Sequence, residues 1–252
     1  MKVENVEPYR EGGEKGKQVE RMFDSIAPAY DFMNTAMTLG LHRRWRDTAL
    51  DAAAEALAEN RITPERVLDV ATGTGDVAFE LHRRWPKASI TGADLSEGML
   101  DVARRKADAL PLHDKAMLTF ETGDCLALRF KDDTFDLITV AYGVRNFEHL
   151  LQGYREMERV LRPGGILCVI ELSEPENRLT HAAYRFYSRT LIPLAGRMVS
   201  RDPRAYTYLP ESIAAAPQRR DMALLMQQAG LRRCRWRSLT FGAVTFYLAQ
   251  KK

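Results

Sequence analysis

Cysteine is scarce. The 252-residue chain has three, Cys125, Cys168 and Cys234, far apart and odd in number. No Cys-x-x-Cys pair occurs, so a zinc site and a disulfide framework are both disfavoured and a reducing compartment is the simple expectation. Long apolar runs are also missing. None approaches the roughly 18 residues that a spanning helix needs, and residues 1–17 lack the apolar core of a signal peptide. An excess of one charge is missing too. A formal charge of +3 is too small by itself to imply a nucleic-acid partner. No internal repeat or low-complexity tract is visible. These absences leave a soluble, cytoplasmic protein without a metal site as the expectation.

What is present is a core. With 45% hydrophobic and 28% charged residues, the chain can bury one sizeable α/β domain with additions. Residues 1–16 are polar and expected to be mobile, and 17–252 form the domain. The spacing of Val19, Met22, Phe23 and Ile26 predicts a helix over 17–26. A second helix is expected from about His42 to Ala58, so that 17–60 make a helical cap over the sheet edge. Strands are expected at Val67–Ala71, Ser89–Asp94, Met117–Glu121, Phe135–Ala141 and Ile166–Glu171. Helices alternate with them at Asp76–Arg84, Ser96–Ala109 and Glu148–Leu161. Such alternation with short connections means a doubly wound, mostly parallel, Rossmann-like sheet. A helical insertion over 178–215 follows. Two late runs, Arg235–Phe241 and Ala243–Ala249, then suggest an antiparallel hairpin that brings the sheet to seven strands.

The stretch Val67 to Asp76 organises the rest. An apolar strand ends at Asp69 to Ala71, and Thr72-Gly73-Thr74-Gly75 then turns into a helix. Glycines at such a turn let a ligand approach the main chain, which marks a nucleotide-type site at the carboxyl edge of the sheet. Gly73 to Ala78 fits G-x-G-x-x-A, so a dinucleotide must be weighed. Asp94, at the end of the second strand, suits the ribose hydroxyls of either ligand. Asp69 inside the motif opposes a pyrophosphate and suits an ammonium group. Asp124, after the third strand, could read an adenine amino group. The turn Arg162-Pro163-Gly164-Gly165 ahead of the fifth strand, with a hairpin after it, is not expected of dehydrogenases. Three acids around one adenosine favour a sulfonium ligand, and S-adenosylmethionine is the expected one.

Here the chain resembles the class I S-adenosylmethionine-dependent methyltransferases. More narrowly, it resembles the C-methyltransferase family of ubiquinone and menaquinone biosynthesis. The likeness rests on F-D-x-I-A-x-x-Y-D from Phe23 to Asp31 with Asn34, on Asp69 to Asp76, and on Tyr142-Gly143-Val144-Arg145-Asn146-Phe147. Leu161 to Gly165 and Tyr208 to Ile213 extend it over nearly the whole chain after the first fifteen residues. The glycine motif identifies only the superfamily. The entry segment and G-x-R-N are far more specific.

The resemblance implies a cofactor held by Thr72 and Gly73 in the glycine loop, by Asp94 at the ribose, and by Asp124 with Cys125 around the adenine. At the fourth strand's tip many relatives have serine where this chain has Ala141, which removes a side-chain hydrogen bond and leaves backbone contact. The implied reaction transfers a methyl group to a ring carbon of a prenylated quinol. That carbon becomes nucleophilic once a quinol hydroxyl is deprotonated. Arg145 and Asn146 are expected to orient the quinol oxygen and stabilise its anion, with Tyr30 lining the pocket. Arginine holds its proton too tightly to be the base, so water or another residue must take the proton.

Plainer readings stand beside these. Asp69 and Asp94 could be turn residues, Arg145 a surface salt-bridge partner, and Tyr30 packing at a helix end. His149 is tempting as a base and more often a cap, and Cys125 suits an adenine wall better than a nucleophile. Arginines from Arg178 to Arg220, interleaved with aromatics, suit an anionic membrane surface or a prenyl tail, or simply a solvated helix face. Demethylmenaquinol is the favoured substrate on general likeness. The ubiquinone precursor, another small-molecule methyltransferase, and a non-catalytic S-adenosylmethionine- or NAD-binding regulator are the alternatives. An exocyclic-amine methyltransferase of nucleic acid lacks its Asn/Asp-Pro-Pro-Tyr segment here.

Overall fold

Seven strands form one sheet in the order β3-β2-β1-β4-β5-β7-β6. They are β1 (Arg66–Val70), β2 (Ser89–Asp94), β3 (Leu118–Thr122), β4 (Phe135–Ala141), β5 (Leu161–Leu172), β6 (Arg232–Leu239) and β7 (Val244–Gln250). The computed structural model describes residues 3–9, 11–186 and 203–252. The first five strands run parallel. β7 pairs antiparallel with β5, and β6 with β7, so the expected hairpin closes one edge. β4, apolar along nearly its whole length, lies at the centre and is buried. Strand order reverses between β1 and β4, and the crevice above that switch point is where ligands of such sheets sit.

β5 begins earlier than expected. Arg162 to Gly165 is absorbed as an irregularity, because pairing slips from Phe135–Leu161 to Leu137–Ile166. Helices α4 (Asp76–Arg84), α5 (Glu97–Asp108), the short α6 (Leu112–Lys115) and α7 (Leu150–Val160) fill the connections. Ser96 caps α5, its hydroxyl accepting the Met99 N–H at 3.1 Å.

The N-terminal part departs from expectation twice. Residues 1–16, read as mobile, hold a 3-10 turn over Val3–Asn5 with Val3 and Val6 buried. Buried Lys15 opens α1 (Lys15–Ile26), and its ammonium donates to the carbonyl oxygens of Val3 (2.8 Å), Arg145 (3.2 Å) and Phe147 (3.4 Å). The cap also divides. α1 and α2 (Tyr30–Thr38) lie over α5 with Tyr206 and Tyr208, whereas α3 (Leu41–Glu59) packs on the sheet face. Ala49 and Ala53 are fully buried on α3, and their small side chains let the helix close onto Val67, Cys168 and Phe246. α2 was not expected, since Tyr30 to Asn34 follows a proline and carries no clear apolar stripe.

The insertion appears as α8 (Arg178–Phe186) and a helix over Pro203–Ala215. Arg189, Arg197 and Arg201 of the proposed basic face lie outside the described residues, as do Tyr187, Leu191, Ile192, Leu194 and Met198. No helix among the described residues is long and apolar enough to cross a membrane.

Candidate active site

β1 and β4 end in strained backbone. Ala71 (φ 53°) and Tyr142 (φ 58°) both take the left-handed region without being glycine, a conformation that concentrates at functional sites. Gly143 is needed between them, because a Cβ there would lie 2.7 Å from the Ala71 Cβ. Gly73, at φ 56°, meets no atom where its Cβ would stand. A side chain at Gly73 would project into a cavity of about 820 Å³ lined by Gly73, Asp94, Asp124, Cys125, Ala141 and Tyr142.

Asp94 anchors this cavity. One carboxylate oxygen accepts the Gly73 N–H at 2.8 Å and the other the Ser96 N–H at 2.9 Å. The two bonds do not exhaust the acceptor positions of a carboxylate, so a further donor such as a ribose hydroxyl can be met. Burial raises the Asp94 carboxyl above its ordinary value, against the pull of these backbone N–H groups. Asp124 accepts the Leu126 N–H at 2.8 Å, which holds the loop after β3. Burial pushes the Cys125 thiol well above the ordinary thiol range, which suits a wall and not a nucleophile.

Asp69 and Thr72 do not line this cavity, which corrects the expectation that the Asp69 charge faces the ligand. Asp69 is 1% exposed, and its oxygens accept the hydroxyls of Thr72 and Thr139, each at 2.6 Å. Strand alternation points it into the layer beneath the loop. Its role is to hold the loop from below, and burial pushes its carboxyl up to about 6.

A second cavity adjoins the first. It is open to solvent, spans about 2010 Å³ with its mouth, and is lined by Met33, Met37, Trp45, Tyr206, Leu209 and other largely apolar side chains. Phe23, Tyr30, Tyr142 and Asn146 line both cavities and form their common wall. Tyr30 therefore stands where a pocket residue was expected. Asn146 accepts the Tyr208 hydroxyl at 3.1 Å.

Arg145 lines only the larger cavity and is buried, bonded to Glu171 at 2.8 Å and to the Tyr142 carbonyl. The ion pair is internal, which corrects the reading of Arg145 as a surface salt-bridge partner. Its Nε is buried and has no partner among the described residues. Glu171 was missed. The signal available was an acid closing the apolar run Leu167 to Ile170 at the edge where parallel strand ends meet. His149 is exposed and lines neither cavity.

The entry segment explains itself through its acids. Asp24 accepts the Ser96 hydroxyl (2.6 Å) and the Gly98 N–H (2.9 Å) at the start of α5. Asp31 accepts the Thr74 hydroxyl at 2.6 Å and pairs with Lys106. These carboxylates pin α1 and α2 to the glycine loop and to the α5 N-terminus, so that Phe23 and Tyr30 stand over the first cavity.

The comparisons with known proteins agree with this architecture. The model of the ubiE/COQ5 methyltransferase family matches residues 12–251. A demethylmenaquinone methyltransferase of Deinococcus radiodurans is 45% identical over the full length of both chains. One of Bacteroides fragilis is 41% identical over 98% of each. A ubiquinone/menaquinone biosynthesis C-methyltransferase of Geobacter sulfurreducens is 41% identical over 94% of this chain and 90% of its own. Among solved structures, a Thermotoga maritima SAM-dependent methyltransferase superposes with a TM-score of 0.62 at 18% identity, covering 92% of this chain and 99% of that one. That likeness speaks for the fold alone. By family model and by relatives of matching length, the chain belongs to the ubiE/COQ5 methyltransferase family.

Proposed function

We propose that the chain methylates a ring carbon of demethylmenaquinol to give menaquinol, with S-adenosylmethionine as the methyl donor. The observation that carries this reading is the pair of cavities sharing one wall. The smaller is polar where an adenosine needs acceptors, at Asp94 and Asp124, and open at Gly73. The larger is apolar and roomy enough for a fused ring and the start of a prenyl tail. The donor, bound in the smaller cavity, supplies an electrophilic methyl group. Tyr30, Tyr142 and Asn146 orient the two partners across the wall. Arg145, kept cationic beside Glu171, stabilises the quinolate oxygen.

The mouth of the larger cavity suggests where the substrate is met. Leu39 (88% exposed) and Phe241 (82%) line it, and Phe32 (65%) is also exposed on α2. Arg43 and Arg44, next on α3, are exposed and pair with no carboxylate among the described residues. A greasy rim with flanking arginines suits the surface of an anionic bilayer, from which a prenylated quinol could slide in. Co-sedimentation with vesicles should therefore increase with anionic lipid, and indifference to lipid charge would remove the membrane part.

The deciding assay is methyl transfer to reduced demethylmenaquinone against the reduced polyprenyl methoxy-benzoquinone. Turnover of the second alone would shift the reading to ubiquinone biosynthesis, which the name of the Geobacter sulfurreducens relative keeps in view. Calorimetry with S-adenosylmethionine, S-adenosylhomocysteine and NAD tests the donor, and binding of NAD alone would overturn the reading.

A further inference from the structure

Carbon methylation of a quinol needs the ring's O–H proton taken up while the C–C bond forms, and none of the residues assigned above is suited to take it. Resting on the proposed function, we propose that His42 is the base, accepting the quinol proton on Nε2. The ring's hydrogen bonds carry this. His42 sits in the first turn of α3, buried, in the wall of the larger cavity. Its Nδ1 lies 2.7 Å from the Thr38 hydroxyl oxygen. That hydroxyl already donates its one hydrogen to the Asn34 carbonyl at 2.6 Å, and a carbonyl can only accept. Thr38 must therefore accept from His42, which puts the imidazole hydrogen on Nδ1 and leaves the lone pair on Nε2. Nε2 makes no hydrogen bond among the described residues and is not one of their buried unpartnered atoms, so it keeps accessible surface on a residue of the cavity wall.

The ionisable groups at the shared wall and beside it serve poorly as bases. Arg145 is held as a cation by Glu171, and Glu171 is engaged by Arg145 and by the Leu172 N–H. Burial raises the hydroxyls of Tyr30, Tyr142 and Tyr208 above the ordinary phenol range, so their anions are scarce at neutral pH. Lys15 is bonded to three carbonyls and lines neither cavity. His42 is the reverse case. Burial, followed by Arg46, lowers its pKa, with Arg43 adding to this and Asp76 and Asp31 opposing it. The neutral, proton-accepting form is thus the resting one at pH 7. Asn34 ties the arrangement to the shared wall, since its carbonyl orients Thr38 and its side chain, one turn on from Tyr30, opposes the upward push of burial on the Tyr30 hydroxyl.

The step balances. The quinol O–H bond breaks, its proton forms an N–H bond on Nε2, and the electron pair spreads from oxygen to the ring carbon. That carbon forms its bond to the sulfonium methyl as the C–S pair leaves with sulfur. The ring then loses the C–H proton to water while the imidazolium returns its own to oxygen. One proton is released overall, and His42 ends neutral.

Two measurements on the full chain test this. In protein labelled with 15N-histidine, long-range 15N–1H correlation should show a proton-bearing Nδ1 and a bare Nε2 for His42 at pH 7. The opposite tautomer would overturn the proposal without any assay. His42→Asn keeps a donor for Thr38 and removes the base. Its kcat should fall by about 100- to 10,000-fold, and the acid limb of the wild-type pH profile, below the ordinary histidine range, should vanish. Calorimetric affinity for S-adenosylmethionine should stay within about twofold, which also reports that the variant is folded. A kcat within about threefold of wild type with the acid limb intact would overturn the proposal. If His42→Asn loses donor binding, Thr38→Val serves instead. It should release the tautomer in the NMR spectrum and lower kcat less, and an unchanged tautomer would count against the relay. A wild-type chain that methylates no quinol would sink the substrate reading and leave the tautomer result standing.

Discussion

The donor pocket and the acceptor cavity are built in different ways. The first is made largely of strand tips, backbone N–H groups and carboxylates, each set in a short motif at the end of its own strand, as Gly73, Asp94 and Asp124 are. The second is assembled from side chains of α2, α3, the β4 tip and the helix Pro203–Ala215, which are far apart in sequence. A pocket built on backbone tolerates side-chain change and can serve many enzymes with one ligand. A cavity built of side chains is where one family member can differ from another. Donor binding and acceptor choice should therefore be separable by mutation.

The largest effect should come from the acceptor side. Arg145→Ala leaves Glu171 as an uncompensated buried charge, which costs about 3–5 kcal/mol of stability by chemical denaturation. Quinol turnover should fall with it. If the folded variant binds the donor as wild type does, the two halves are independent, and a matched loss of donor affinity would break the contrast. On the donor side, Asp94→Ala removes the acceptor for Gly73 and for Ser96, and for a ribose bound as proposed. S-adenosylmethionine affinity should drop about 100-fold, close to 2.7 kcal/mol. The KM for quinol should hardly move.

The smallest effect concerns Asp69, which supports the loop without touching the ligand. Its folded pKa of about 6 lies above the ordinary 3.8, so the folded state binds the proton more tightly. Wild-type stability should then decline by about 2 kcal/mol, relative to Asp69→Asn, as pH rises from about 4 to about 6. Parallel stability curves for the two proteins would show that Asp69 is not held up by burial.

The same contrast sets how much was legible beforehand. The strand–helix alternation could be read because each buried strand is a short apolar run closed by turn residues, as Val67 to Gly73 shows. Asp94, Asp124 and Cys125 could be placed because strand ends of a parallel sheet must converge. Asp69 was misplaced because the motif gives its position along β1 and not the face to which it points. α3 was read as part of a cap, although its alanines suit close packing on the sheet. The Arg145–Glu171 pair joins the segment after β4 to the end of β5, and nothing local in either stretch names the other. His42 could not be singled out either, since its tautomer depends on a hydroxyl one turn away.

Lys15 has a practical meaning. Its ammonium joins Val3 to the carbonyls of Arg145 and Phe147, so the first residues of the chain are stitched to the segment that carries Arg145 and Asn146. Burial lowers the Lys15 pKa to about 8, so the stitch loosens first in alkaline buffer. An affinity tag or a trimmed N-terminus is consequently no neutral handle for this protein. It would act at the quinol end of the site, more than a hundred residues away along the chain, while leaving the glycine loop as it was.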